Sequence, residues 1–345
     1  MMKKIFLLWI FIMSVISSYA QKGYLDFRTI SKGEDFTFPV FQSASDTSVA
    51  DKINTILQLF ELQLLYQKDE ANVFREFQMT SDSIVEGNTS LIFNIIENNT
   101  EVLSVSVSRE WCGASCNHWT EYYNFNSGNG DLISLYDLIE KDKINVAMAV
   151  INGKRTFNFL SQLSNLNSEH TIDTTSVLSE INNSIKYFYI KNDSVFISDE
   201  ECLSKFEKIY YELNMISGFS ADDLKPYLNN YGKAVLSNSK ESVTKFNGSY
   251  FPQLYQGTTN DSTLFYFTFD FFYDFNGSGF IAFKNNAVIH LFDGTLENDH
   301  FDLTEHDKDY TDIGFIKANI IKGKIIGTYK SIDGKTNYSF LAERM

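Results

Sequence analysis

From Leu264 to Phe272 the side chains alternate without a break, with Phe265, Phe267, Phe269 and Phe271 on one side and Leu264, Tyr266, Thr268 and Asp270 on the other. A period of two is that of an extended strand, and a face of four phenylalanines has to be covered by another layer. The pattern recurs after it. Gly279–Phe283, Ala287–Phe292, His300–Thr304, Gly314–Ile320, Lys324–Tyr329 and Asn337–Leu341 are strand candidates, and Asn276-Gly277, Asn285-Asn286, Asp293-Gly294, Lys322-Gly323 and Asp333-Gly334 have turn chemistry. Roughly eight strands in about 100 residues predict an antiparallel meander, closed as a small barrel or folded as a sandwich. An open cavity behind the phenylalanines would make this part a carrier of an apolar ligand. Close packing would make them core.

The chain ahead of this region has a different grammar. After a polar lead, Val49, Ile53, Ile56, Leu57, Phe60 and Leu64 form one stripe at helical spacing between Ser48 and about Gln67, with Asp46 or Ser48 as the cap. Leu91–Ile96, Val102–Val107 and Trp119–Phe125 read as three strands on which that helix packs. Ser134–Ile139, Ile144–Leu163 and Thr174 to about Ile185 read as helical, with Gly153 weakening the middle one. Lys186–Ile190, Ser194–Ile197 and about Phe206–Leu213 read as further strands, and Ser220 caps a short helix that ends near Tyr227 or Leu228, with Pro226 late inside it. From Tyr231 to about Ser242 apolar residues thin out, as in a linker. The fold class is therefore α+β, an antiparallel sheet with packed helices followed by a small all-β meander. The boundaries are 1–20 for a leader, 21–240 for the α+β domain and 241–345 for the β domain.

The leader is Lys3 and Lys4, the apolar run Ile5–Ile16, and Ser17-Ser18-Tyr19-Ala20 before Gln21. That is the pattern of a secretory signal peptide. Its apolar core is shorter than the ~20 residues that span a bilayer, which favours cleavage over anchoring. The expected location is exported, periplasmic or secreted, with no membrane insertion after cleavage. The whole chain carries a formal charge of −15, and loss of the two lysines leaves 27 basic against 44 acidic residues, or −17. Such a surface repels nucleic acid and anionic membranes and favours cationic partners.

Three cysteines remain, Cys112, Cys116 and Cys202. In an oxidising compartment the close pair Cys112 and Cys116 is the simplest disulfide. The competing reading recruits His118 to these two sulfurs for a metal, but a structural zinc site needs a fourth ligand and the sequence places none beside them. Around this loop stand Trp111, Gly113, Ser115, His118, Trp119, Tyr122 and Tyr123. Aromatic loop residues are common anchors for a protein or a sugar, whereas strand alternation points Trp119 and Tyr123 toward the core.

The set from Ser104 to Ile139 carries a family likeness. Val105-Ser106-Val107 leads into Cys112-Gly113-Ala114-Ser115, then the strand Tyr122-Tyr123-Asn124-Phe125-Asn126 and the run Leu132-Ile133-Ser134-Leu135-Tyr136-Asp137-Leu138-Ile139. This resembles the extracytoplasmic domain of lysozyme-sensing anti-sigma factors, the RsiV-like domain, which also precedes the catalytic domain of certain peptidoglycan deacetylases. Phe38-Pro39-Val40 and Phe219–Leu228 fit the same outline, over about residues 24 to 238. The loop departs from the family's Gly-Gly-Ala-His form at Cys112 and Ser115. The resemblance implies an α+β fold and, as partner, a peptidoglycan fragment or a cationic lysozyme-like protein. Lys324–Tyr329 and Tyr338–Leu341 resemble the small β modules appended to exported bacterial proteins.

Catalytic signatures are absent from the sequence. There is no Gly-x-Ser-x-Gly elbow and no His-Glu-x-x-His helix, and Gly334-Lys335-Thr336 lacks the first glycine of a phosphate-binding loop. The densest acidic stretch, Asp299 to Asp312, nominates Asp307, Asp309 and Asp312 for a divalent ion, against a solvated hairpin tip. The expected function is that of an exported, non-enzymatic envelope protein without a cofactor, binding a protein or glycan partner through Trp111, Gly113, Ser115, His118 and Trp119. The rival is a hydrolase acting on cell-wall or glycan material, with carboxylates and His118 or His306 converging in three dimensions.

Overall fold

The computed structural model describes residues 24–43, 46–65, 73–74, 87–166, 172–183, 185, 187–237, 253–272, 276–284, 289–307 and 311–345. The leader, the Asn285-Asn286 turn, the segment 238–252 that holds the end of the expected linker, and Asp309 lie outside them.

The polar lead is a hairpin, β1 (Asp26–Lys32) and β2 (Phe36–Gln42), whose second strand buries Phe36, Phe38, Val40 and Phe41. Helix α1 (Thr47–Leu62) follows, with Asp46 accepting from the Ser48 N–H at 2.9 Å. Strands β3 (Gly87–Asn98), β4 (Val102–Cys112) and β5 (Cys116–Asn126) complete a sheet of order β1-β2-β3-β4-β5. On β4 alternate residues face opposite ways: Leu103, Val105 and Val107 join the core under α1. Ser104 takes the other face, where its hydroxyl donates to Asn124 at 2.6 Å and Asn124 donates to the Phe188 carbonyl at 2.8 Å.

Two 3-10 turns, Leu135–Leu138 and Lys141–Lys143, lead into α2 (Ile144–Leu163) and α3 (Thr174–Asn183). A small sheet of order β6-β7-β8 then covers the second face of β4 and β5. Its members are β6 (Phe188–Lys191), β7 (Ser194–Ser198) and, after the six-residue helix α4 (Lys205–Tyr210), β8 (Ile216–Ser220). Tyr122 stacks on Tyr189 at 5.1 Å across this interface, and burial pushes the Tyr122 phenol up to about 12. Helices α5 (Ala221–Leu224) and α6 (Asn230–Ser237) close the first half.

Two expectations are corrected here. Residues 205–210 are helical rather than extended, because Ser204 and Glu207 form a reciprocal capping box, 2.7 Å from the Ser204 N–H to the Glu207 carboxylate. The stretch from Tyr231 to Ser237 belongs to α6 instead of a linker. Asn229 accepts from the Gly232 N–H at 2.8 Å, and Tyr231, Ala234, Val235 and Leu236 are buried.

The C-terminal half is a closed barrel of eight antiparallel strands: β9 (Gln253–Thr259), β10 (Leu264–Phe272), β11 (Asn276–Phe283), β12 (Ile289–Glu297), β13 (His300–His306), β14 (Asp312–Ile321), β15 (Lys324–Ser331) and β16 (Asn337–Arg344), with β16 returning to β9. The barrel resolves the barrel-or-sandwich alternative. Asn276-Gly277 and Asp293-Gly294 are not turns; they lie within β11 and β12, where Gly277 faces Gly294. A Cβ on Gly294, whose φ is +152°, would sit 2.2 Å from the Asp302 carbonyl oxygen, so glycine lets the wall bend there. Inside, Phe267 lies 4.8 Å from both Phe269 and Phe292, and Phe269 lies 5.0 Å from Phe301. Phe265, Phe267 and Phe269 are thus packed core.

The two halves meet on α1. Leu254 and Ala282 of the barrel wall join the core beneath the helix, and Phe60 meets Phe280 edge to face at 5.6 Å. Sheet on one side and barrel on the other leave α1 almost wholly buried, polar residues included. Lys52 pairs with Asp131 and with the Met345 carbonyl, and Arg344 meets the same aspartate at 2.7 Å. Desolvation lowers the Lys52 pKa against the attraction of Asp131.

Candidate functional site

The loop residues singled out in the sequence lie at the tip of the β4–β5 hairpin. The strands pair Arg109 with Trp119, Glu110 with His118, Trp111 with Asn117 and Cys112 with Cys116, leaving residues 113–115 as the turn. Cys112 and Cys116 are bridged, and Cys202 is a half-buried cysteine outside the bridge. Trp111 folds its ring over the turn: a Cβ on Gly113 would lie 2.7 Å from it, so only glycine accommodates the ring in this position. Ser115 and His118 are exposed, and Trp111, Gly113 and Trp119 are half-buried.

Trp119 is therefore not core. It lies past the end of the face covered by α1, opposite Arg109, whose guanidinium reaches Glu61 at 2.6 Å. Tyr123, four residues further into the sheet, is core-packed as expected, stacked on Phe125 and donating to Glu61. Burial and the adjacent Glu61 charge hold its phenol well above the usual value. The hairpin is thus clamped at its base by α1 and the small sheet, tied at its end by a disulfide, and presents two indoles and an imidazole near the end. Large aromatic surfaces held in place lose little rotamer entropy on binding.

On the other face of the tip, Glu110 takes a hydrogen bond from Thr89 at 2.6 Å and lies 2.9 Å from Nε2 of His118. Glu110, Cys112 and Cys116 place their ligand-type atoms within 4.8 Å of one another. Among the described residues no comparable group forms in the acidic stretch. Asp307 accepts from the Thr311 N–H at 3.0 Å, and Asp312 lies 3.1 Å from His306. His306 is held between Asp312 and Asp293, the latter at 3.2 Å.

A second polar cluster, unanticipated from the sequence, lies inside the barrel. Glu305 is 1 % exposed; its Oε1 lies 3.0 Å from Nδ1 of His290, and its Oε2 is buried without a hydrogen-bond partner among the described residues. Tyr329 reaches the same carboxylate and stacks on Tyr338 at 4.8 Å. Burial, reinforced by Glu305, holds both phenols above their usual range. The signal was present in the sequence: Phe301, Leu303 and Glu305 share the inward parity of β13, so a charge stands where the pattern calls for an apolar residue.

No known protein-family profile matches the chain, and no curated protein matches it by sequence. Among solved structures it is similar to a DUF3298 family member from Bacteroides fragilis, with a TM-score of 0.46 and 10% identity over 63% of this chain and 99% of that one. It is also similar to a DUF3298 family protein from Pseudomonas aeruginosa PAO1, with a TM-score of 0.41 and 10% identity over 61% of this chain and 94% of that one.

Proposed function

We propose that the protein is an exported, non-enzymatic binding protein of the bacterial envelope, and that the β4–β5 tip recognises a cationic, lysozyme-like protein. The observation that carries this reading is the pair Trp111 and Trp119, left half-exposed on a hairpin that is braced at both ends. The net charge of −17 after loss of the leader supports a cationic partner through long-range attraction. The likeness of residues 104–139 to the ectodomain of lysozyme-sensing anti-sigma factors supports the same partner class. Calorimetric titration of the mature chain with lysozyme should show association that weakens as salt rises. Trp111→Ala or Trp119→Ala should lower the affinity at least about tenfold, as truncation of an aromatic anchor does. Absence of salt-sensitive binding removes the reading; binding of soluble peptidoglycan fragments in its place makes the partner a glycan.

A second reading is favoured by the barrel interior. A buried carboxylate with one unpartnered oxygen beside an imidazole is acid–base equipment, and supports a hydrolase acting on cell-wall or glycan material. On that reading the chain turns over peptidoglycan fragments and Glu305→Gln abolishes the turnover. On the binding reading neither protein shows any.

A further inference from the structure

The β4–β5 tip gathers four side chains of metal-ligand type. In the antiparallel ladder Cys112 stands opposite Cys116 and Glu110 opposite His118. Residues two apart on a strand share a face, so both pairs lie on the same side of the hairpin. A carboxylate oxygen of Glu110 and the two sulfurs fall within 4.8 Å of one another, and Nε2 of His118 lies 2.9 Å from Oε1 of that carboxylate. His118 is 71 % exposed and Glu110 25 %, so an ion reaches the group from solvent and the imidazole is free to swing onto it. The fourth ligand is Glu110, two residues before Cys112 on the same strand, which strand pairing sets opposite His118. While the sulfurs are bonded to each other they carry no thiolate charge, and the site is latent.

We propose that reduction of the Cys112–Cys116 bridge converts the hairpin tip into a zinc site made of two thiolates, the His118 imidazole and the Glu110 carboxylate. The chemistry balances with a dithiol reductant. Two electrons pass from its two thiols to the bridge, the Cys112–Cys116 bond breaks, two cysteine thiols form and the reductant leaves as its own disulfide. The ion then displaces both thiol protons to solvent and forms two S–Zn bonds. Two thiolates with one imidazole and one oxygen suit a tetrahedral zinc ion. With Zn–S bonds of about 2.3 Å the sulfurs stand roughly 3.8 Å apart. The strands need not unpair for this, because the three-residue turn 113–115 lies outside the ladder.

The reduced and oxidised tip are thereby two states of one element, one closed by a covalent bond and one by a metal. The inference does not rest on the recognition reading, since it concerns the face of the hairpin that carries the even-numbered residues and not the indoles.

Cobalt(II) tests it, because thiolate–cobalt charge-transfer absorption and intense tetrahedral ligand-field bands report both ligand type and geometry. The mature protein with Cys202→Ser, so that only the tip sulfurs respond, is titrated oxidised and after reduction with the reductant removed under inert gas. The expected result is one equivalent bound with both sets of bands in the reduced protein, none in the oxidised protein, and displacement by zinc(II). Glu110→Gln and His118→Ala should each weaken binding at least tenfold without loss of the folded-state spectrum. A reduced protein that gives no thiolate–cobalt band overturns the proposal. So does unchanged affinity in both variants.

Discussion

Arg155 is completely buried, and its guanidinium is spent on Asp199, with Nε 3.1 Å from a carboxylate oxygen, and on Asn152 at 2.8 Å. Burial raises the Asp199 pKa while Arg155 opposes that shift. Arg155→Ala leaves a carboxylate that is 3 % exposed without its cation, and should cost about 3–5 kcal/mol, the usual penalty for breaking a buried pair. The readout is a lower urea midpoint with an unchanged slope; a loss below about 1 kcal/mol would mean that Asp199 is relieved in some other way. Residue roles were partly legible in sequence. The Cys112–Cys116 bridge follows from spacing and the expected export. The partners of Glu110 and Glu305 do not, because each depends on a neighbour that strand pairing supplies: His118 across one rung, His290 on the adjacent barrel strand. Parity along β13 and counting back from the two cysteines are the signals that locate them.

Capping ties several elements to pH. Asp46, Asp223, Asp261 and Asp333 are held below the usual 3.8 by hydrogen bonds, chiefly from the Ser48 side chain, the Ser220 backbone, and the Thr259 and Ser331 hydroxyls, in that order. A carboxyl whose folded pKa is depressed contributes stability that is complete above 3.8 and lost as pH falls through it. Asp199 works the other way, since its folded pKa is raised and acidification favours its folded form. The four carboxylates, two in helix caps and two in strand turns, should outweigh it, so the thermal midpoint is expected to fall as pH drops from about 4 to about 2. A combined Asp46→Asn, Asp261→Asn and Asp333→Asn variant should flatten that fall; an unchanged slope would place the acid sensitivity elsewhere. Caps also explain which elements were readable. Thr47–Leu62 and Ala221–Leu224 begin at residues recognisable as caps, and Leu264–Phe272 is fixed by its alternation. Lys205–Tyr210 was misread because Phe206, Ile209 and Tyr211 fit a strand nearly as well as a helical turn, and only the Ser204–Glu207 box decides. Asn230–Ser237 is short and carries Gly232 inside it, and gains its helix from Asn229 and from packing that a local window does not contain.

At the scale of the whole molecule the fold class was legible and the docking was not. Strand alternation and turn spacing announce a β meander, but nothing local says that its outer wall covers a helix some 200 residues earlier, or that Lys52 will meet the last residue of the chain. That arrangement bears on the proposed function. It braces the β4–β5 hairpin at its base while the tip keeps Trp111, Ser115, His118 and Trp119 accessible to a partner. On the proposed reading the net negative charge would bring a cationic protein toward the molecule, and the indoles would decide where it settles. The most direct test is hydrogen–deuterium exchange of the mature chain with and without saturating lysozyme at low salt. The account predicts slowed exchange concentrated in residues 108–120, with the barrel strands unchanged. Protection centred on the barrel end around Glu305, or on no part of the β4–β5 tip, would contradict it.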